Sequence, residues 1–257
     1  MDLQALIFDV DGTLADTERD GHRPAFNSAF REFGLAWEWD ADLYAKLLKV
    51  TGGKERIRYF VDHFLTGYSK PADFDTLVGE LHKAKTRHYV GMLDRGAIPL
   101  RPGVKRLLEE ARKQGLRLAI ATTTTPDNVI ALLRNALAAD AESWFEIIAA
   151  GDIVPAKKPA PDIYSWTLEK LGLDPRQCLA FEDSYNGIRA SLGAAIPTVI
   201  TVNAYTANDD FSGALAVLDG LGEPRQVFNP IHGNSYGKSC VDMELLRRWH
   251  GETTKPA

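Results

Sequence analysis

Two carboxylates stand one residue apart near the N-terminus, in Leu6-Ile7-Phe8-Asp9-Val10-Asp11-Gly12-Thr13. An apolar run leads straight into them. If that run is a buried strand, Asp9 closes it, and both acids face the crevice at the strand's carboxyl end, where open α/β sheets bind ligands. Two rival readings exist. A calcium loop of the EF-hand type fails on spacing: counted from Asp9, position 6 is Leu14 rather than Gly, and position 12 is Asp20 rather than Glu. A plain surface turn built from Asp and Gly does not explain the apolar strand that delivers the acids.

Further chemistry-bearing residues follow. Glu182-Asp183 closes the apolar run Cys178–Phe181. One of these acids reads equally well as favourable charge at the start of the next helix. Thr122 and Thr123 lie in Ile120-Ala121-Thr122-Thr123-Thr124-Thr125, where a strand gives way to a helix. They are either helix caps or a phosphate cradle of hydroxyls and amides. Lys158 precedes a helix opened by prolines; a lone lysine there is ordinarily solvated.

These residues need a scaffold that gathers strand ends. Apolar runs at 5–9, 116–123, 145–151, 178–183 and 197–202 read as buried parallel strands. Helical patterns at 102–114, 126–138, 159–172 and 184–194 alternate with them. The alternation specifies an α/β fold, a Rossmann-like parallel sheet with helices on both faces. Between 17 and 91 no strand signal occurs, only helical stretches at 22–33, 40–49, 54–66 and 73–90. The expectation is a core of residues 1–16 and 92–257 and a small helical cap of residues 17–91, joined by linkers near 12–17 and 91–100. Beyond 222 the chain is irregular, with a helix-like 241–250 and fraying expected at the last residues.

In chain order the set is Asp-x-Asp, Thr, Lys, Glu-Asp, each at or just beyond an expected strand end, and the combination resembles the haloacid dehalogenase (HAD) superfamily of phosphotransferases over nearly the whole chain. The early helical insertion resembles that family's C1 cap. The resemblance implies that Asp9 is a nucleophile that forms an aspartyl-phosphate, and that Asp11 is a general acid/base. It implies that Thr122 and Lys158, with Thr123 beside them, bind the transferring phosphoryl group. It also implies Mg2+ held by Asp9, the Asp11 backbone carbonyl, Glu182 and Asp183. Four carboxylates around one cation and one lysine should leave one of them protonated. Asp11, whose side chain does not touch the metal, is expected to be that one.

In the cap, Thr51-Gly52-Gly53 precedes a helix carrying Lys54, Arg56 and Arg58. Free amides beside basic side chains suit an anion such as a second phosphate; a capped helix with solvated charges is the plain alternative. Glu18, Arg19 and His22 lie near the first linker, and Glu18 suits sugar hydroxyls. The segments from Asp16 to Phe30, from Thr51 to Phe60 and from Glu182 to Ser191 are similar to the CbbY branch of the superfamily. That likeness implies a phosphatase for xylulose 1,5-bisphosphate, a Rubisco inhibitor of the Calvin cycle. The alternatives are a sugar-phosphate mutase of the β-phosphoglucomutase kind and, in another class, a non-catalytic sugar-phosphate sensor.

Bulk properties agree with a small-molecule enzyme. The 257 residues are 45% apolar and 25% charged, with a formal net charge of −5, which disfavours nucleic acid and acidic membranes as partners. No apolar run approaches the ~20 residues of a membrane helix, and no signal peptide precedes the first strand. The two cysteines, Cys178 and Cys240, suggest a reducing, cytoplasmic setting. No heptad pattern demands a partner, so a monomer is expected. Gly233–Ser239 superficially resembles a phosphate-binding Walker loop, but it has three residues between its glycines rather than four, and no strand is expected before it.

Overall fold

A computed structural model describes residues 1–253. In chain order the strands and α-helices are β1 (Ala5–Phe8), α1 (Arg23–Glu32), α2 (Ala41–Leu47), α3 (Gly53–Phe64), α4 (Phe74–Asp94), α5 (Val104–Lys113), β2 (Arg117–Ala121), α6 (Pro126–Leu132), β3 (Ile147–Ala149), α7 (Asp162–Leu171), β4 (Cys178–Glu182), α8 (Tyr185–Gly193), β5 (Thr198–Thr201), β6 (Ala216–Leu218), β7 (Pro230–His232) and α9 (Met243–Thr253). They form one sheet in the order β3-β2-β1-β4-β5-β6-β7, parallel except for the antiparallel pair β6–β7. β1 sits centrally between β2 and β4, with Phe8 opposite Ile120 on one side and Phe181 on the other. The order reverses there, so the strand ends beside β1 form the crevice that binds ligands in doubly wound sheets.

Alternation along the strands sorts side chains by size. One face presents Leu6, Phe8, Leu118, Ile120, Leu179 and Phe181 to the apolar sides of α5, α6 and α9. Phe8 and Phe181 stack across adjacent strands with ring centroids 4.5 Å apart. The other face carries Ala5, Ala119, Ala121, Cys178 and Ala180 around Ile7. Small side chains there let α7 lie close, through Ile163, Tyr164, Leu168 and Leu171. Burial of each large apolar side chain contributes about 1.5–3 kcal/mol, so the strands that carry the site are firmly held.

The helices α1 to α4 pack around a second cluster of Phe26, Phe30, Trp37, Trp39, Tyr44 and Phe60. The Asn27 side chain pairs with both backbone groups of Trp39, at 2.9 and 2.8 Å. The long helix α4 continues out of this cluster and adds Tyr89 and Leu93 to the sheet's own core. Its extent corrects the sequence reading of a linker from 91, because helix persists to Asp94. The two connections run side by side, with Arg101 N donating to Leu14 O at 2.9 Å. The Arg101 guanidinium gathers the carbonyls of Gly12, Thr201 and Val202. That single side chain ties the loop bearing Asp11 to the end of β5.

The short strand β7 falls where the sequence suggested irregular chain, and β6 falls just before it, in a stretch to which the sequence reading assigned no element. β7 also corrects the expectation that no strand precedes Gly233. It is an exposed antiparallel edge, and Lys238 beyond it is held by Asp242 at 2.9 Å and Glu244 at 2.5 Å, so no phosphate loop forms. Helix α9 covers Met243–Thr253, slightly later than 241–250; the fraying expected of the final residues lies outside the described residues. Both cysteines are free, and no helix among the described residues is long and apolar enough to cross a membrane.

Candidate active site

Asp9 leaves β1 with its amide donating to Phe181 O at 3.0 Å, which fixes its carboxylate beside the end of β4. The chain must then turn within hydrogen-bonding distance of its own start, and Leu14 N donates back to Val10 O at 2.9 Å. Gly12 takes φ +86°, and a Cβ there would fall 2.2 Å from Asp183 Oδ2. Only glycine fits both demands. The Gly12 of the Asp-x-Asp-Gly run is therefore what lets the last acid approach the first two.

Asp9, Glu182 and Asp183 are buried, with ligand oxygens lying within 4.8 Å of one another. Lys158 Nζ donates to Asp9 Oδ1 and to Glu182 Oε1, both at 2.6 Å, and it is itself buried. The Tyr164 hydroxyl donates to the same Glu182 oxygen at 2.5 Å, and Asn203 Nδ2 donates to Asp183 Oδ2 at 2.6 Å. Glu182 Oε2 is buried without a donor among the described residues, packed against Gly187. Burial pushes Asp9 up to about 7 against the pull of Lys158, with Glu182 and Asp11 adding to the rise. Burial, then Asp9 and Glu182, push Asp183 well above the usual carboxylate range. Lys158 is raised, because Asp9 and Glu182 outweigh its burial. One lysine does not neutralise three buried acids, and Glu182 retains an unused oxygen. A hard divalent cation with oxygen ligands fits that donor set.

Asp11 departs from the sequence reading. Its Oδ1 accepts from Thr17 Oγ1 at 2.6 Å and lies 2.7 Å from His22 Nε2. The other ring nitrogen of His22 is 2.8 Å from Nζ of the buried Lys85 on α4. Burial alone would raise the Asp11 carboxyl; His22, Thr17 and Lys85 outweigh it and hold it below the usual carboxylate range. Charge counting made Asp11 the protonated member of the cluster. The local cation and two donors reverse that, and the raised acids are Asp9 and Asp183. Lys85 itself is lowered to about 8 by burial, partly offset by Asp11 and Glu18. His22 is thus not a surface residue, nor does it line the cavity: it sits behind Asp11.

The acids form the floor of a cavity of about 470 Å³ between sheet and cap. Thr122 and Thr123 line it from the end of β2, and Thr122 N donates to Ala149 O at 2.9 Å. Thr125 begins α6 without a side-chain cap, so helix capping does not account for all four threonines. From the cap come Glu18, Lys49, Thr51, Gly52 and Arg56. The Tyr44 hydroxyl donates to Glu18, and Arg56 Nη1 donates to Tyr44 Oη at 2.8 Å and lies 3.6 Å from Glu18 Oε2.

Four further cap residues stand elsewhere than the sequence suggested. Lys54 Nζ points away to Asp152 Oδ2 at 2.6 Å. Gly53 lies under His82 rather than on the cavity wall, which Gly52 supplies. Arg58 pairs with Asp75 at 3.0 Å on the surface. Arg19 likewise pairs with its neighbour Asp20 in solvent. On a helix, residues two apart do not share a face, so Lys54 and Arg56 diverge. Sequence reasoning missed Thr17, Tyr44, Lys85, Tyr164, Asn186 and Asn203. Of these, Asn186 and Asn203 were within reach, since Asn203 directly follows the apolar run 197–202 and Asn186 lies three residues after Asp183.

Comparison with known proteins agrees with this geometry. The family model of haloacid dehalogenase-like hydrolases matches residues 3–194. Protein CbbY, plasmid, from Cupriavidus necator is 49% identical over 251 residues, covering 98% of each chain. The crystal structure of CbbY from Rhodobacter sphaeroides in complex with phosphate superposes with a TM-score of 0.79 at 44% identity, covering 85% of this chain and 94% of that one. A mutant of that protein in complex with xylulose-(1,5)bisphosphate superposes equally well. By family model, by identity over nearly the whole length and by superposition, the chain belongs to the haloacid dehalogenase-like hydrolases, in their CbbY branch.

Proposed function

We propose that this protein is a Mg2+-dependent sugar-phosphate phosphatase that acts through an aspartyl-phosphate on Asp9, with a ketose bisphosphate, xylulose 1,5-bisphosphate, as substrate. The observation that carries the reading is Lys158 Nζ at 2.6 Å from both Asp9 and Glu182, on the floor of a cavity roofed by the cap. A lysine so placed sits where phosphoryl oxygens must lie if Asp9 is to attack phosphorus. The sugar is supported by the relative at 44% identity that is described in complex with xylulose-(1,5)bisphosphate. Removal of this Rubisco inhibitor in the Calvin cycle is the corresponding role.

Asp9, Glu182 and Asp183, with the Asp11 carbonyl, would hold Mg2+, which supplies neutralisation of the phosphoryl charge. The protein's own groups do the rest. An Asp9 carboxylate oxygen bonds to phosphorus as the bond from phosphorus to the sugar oxygen breaks. The electron pair leaves on that oxygen, which takes a proton through Asp11. That proton comes along the contacts behind Asp11: His22 Nε2 gives its hydrogen to Asp11 as His22 Nδ1 takes one from the Lys85 ammonium, and the second half returns it by the same path. In the second half, water attacks phosphorus, Asp11 receives its proton, orthophosphate leaves and Asp9 is restored. Lys158 and Thr122 hold the phosphoryl oxygens throughout. The distal phosphate faces Arg56 and Lys49 on the cap wall, in place of Lys54, and Glu18 receives sugar hydroxyls.

The test is orthophosphate release from ketose mono- and bisphosphates, with Mg2+ and after chelation. Release from the bisphosphate that chelation abolishes is expected. An isomeric sugar phosphate as product, or no release from any member of the panel, overturns the reading.

A further inference from the structure

Four charged residues that line no part of the cavity bridge the cap and the core beside its mouth. Lys54 and Glu55 lie in the first turn of α3 in the cap; Asp152 and Lys157 belong to the core loop between β3 and α7, which also carries Lys158. Lys54 Nζ is 2.6 Å from Asp152 Oδ2, Asp152 Oδ1 is 3.0 Å from Lys157 Nζ, and Lys157 Nζ is 3.2 Å from both oxygens of Glu55. The signs alternate without a break along the chain of contacts, and each end crosses the cleft. Gly52 leaves room for it: a Cβ there would fall 2.2 Å from Glu55 Oε2 and 2.8 Å from Lys157 Nζ. On the other side of Gly52, Asn186 Nδ2 on the core donates to Thr51 Oγ1 at 2.9 Å, so the same cap segment is gripped twice.

We propose that Lys54, Asp152, Lys157 and Glu55 form an ionic latch that holds the cap against the core, and that Lys157 is a positioning residue linking the latch to Lys158. The inference rests on the reading of the cavity as a capped sugar-phosphate site. The physical basis is the peptide link between Lys157 and Lys158. When the cap is closed, Glu55 and Asp152 restrain Lys157, and the backbone carrying Lys158 is restrained with it. When the cap opens, Lys157 loses Glu55, and the loop keeps only Asp152 beside it. A substrate that fills the cavity therefore meets a set Lys158 only under a closed cap, which also excludes water from the reacting centre. These residues are partly exposed, so salt should weaken the latch.

Charge exchange at constant net charge tests it. Lys54→Glu with Glu55→Lys reverses the cap half; Asp152→Lys with Lys157→Glu reverses the core half; the quadruple variant restores every attraction. Each half-reversal is expected to raise KM for the ketose bisphosphate about tenfold. The quadruple variant is expected to return to within about twofold of the parent. Spin labels at Lys83→Cys on the cap and Lys170→Cys on the core, in a Cys240→Ser background, should report longer distances for the half-reversals only. That distance needs no substrate: a parent that cleaves acetyl phosphate but no sugar phosphate would remove the functional reading and leave the latch measurable. Half-reversals with parental KM and distance, or a quadruple variant as open as they are, overturn the latch. Should the reversals fold poorly, Lys157→Met serves instead: its KM should rise and lose the salt dependence of the parent, and an unchanged salt response overturns the proposal.

Discussion

His22 Nε2 lies 2.7 Å from Asp11 Oδ1. The Lys85 ammonium, 2.8 Å from His22 Nδ1, has no acceptor of its own, so Nδ1 accepts and Nε2 keeps the hydrogen shared with Asp11. Helix α4 of the cap thereby sets which nitrogen of His22 faces the catalytic loop. Asp11 is held ionised in the free protein and is supplied from behind when a leaving oxygen needs a proton.

Removal of that supply should discriminate between leaving groups. His22→Ala is expected to lower kcat for a sugar phosphate by about 10²-fold, and for acetyl phosphate, whose leaving group needs no proton, far less. Steady-state kinetics on the two substrates checks this. An equal loss on both, or no loss, removes His22 from the proton path.

The cation-free protein should respond to pH in a set direction. Burial raises Asp9 from 3.8 to about 7 and raises Asp183 in the same sense. Between about pH 4 and 7 the folded state therefore binds more protons than the unfolded state, and stability falls as pH rises through that window. Asp11, shifted the other way, acts only below it. Mg2+ competes with those protons, so millimolar Mg2+ should raise Tm more at pH 8 than at pH 5. Thermal melts of EDTA-treated protein at both pH values measure this. A larger shift at pH 5 would sink the assignment of the three acids as its ligands.

Lys49 lines the cavity from the cap, and no hydrogen bond or ion pair among the described residues holds its ammonium. Lys49→Ala should raise KM about tenfold for a ketose bisphosphate and leave a monophosphate unaffected. If both KM values move together, Lys49 does not contact a distal phosphate.

The acids and Thr122 on the floor of the site were legible because each ends a buried apolar run: Asp9 after β1, Thr122 after β2, Glu182 at the end of β4. Period and strand ends are local signals. The walls were not legible. Lys85 stands among polar neighbours on a helix and reads as solvated, yet it is buried against a histidine 63 positions earlier. The state of Asp11 depends on that contact, so charge counting along the sequence gave it the wrong sign. Lys54 and Arg56 share one basic stretch, and only the turn of α3 sends one to Asp152 and the other to Tyr44. The strands β6 and β7, three residues each, are too short to carry a period.

Covalent catalysis at Asp9 is the claim on which the rest depends. Enzyme mixed with xylulose 1,5-bisphosphate and Mg2+, quenched in acid during turnover and digested, is to be searched by mass spectrometry for a phosphorylated peptide. Phosphate on Asp9 in the parent, and none anywhere in Asp9→Asn, is the expected result. A phosphoenzyme that persists in Asp9→Asn, or a parent that releases orthophosphate while Asp9 is never phosphorylated, would contradict it.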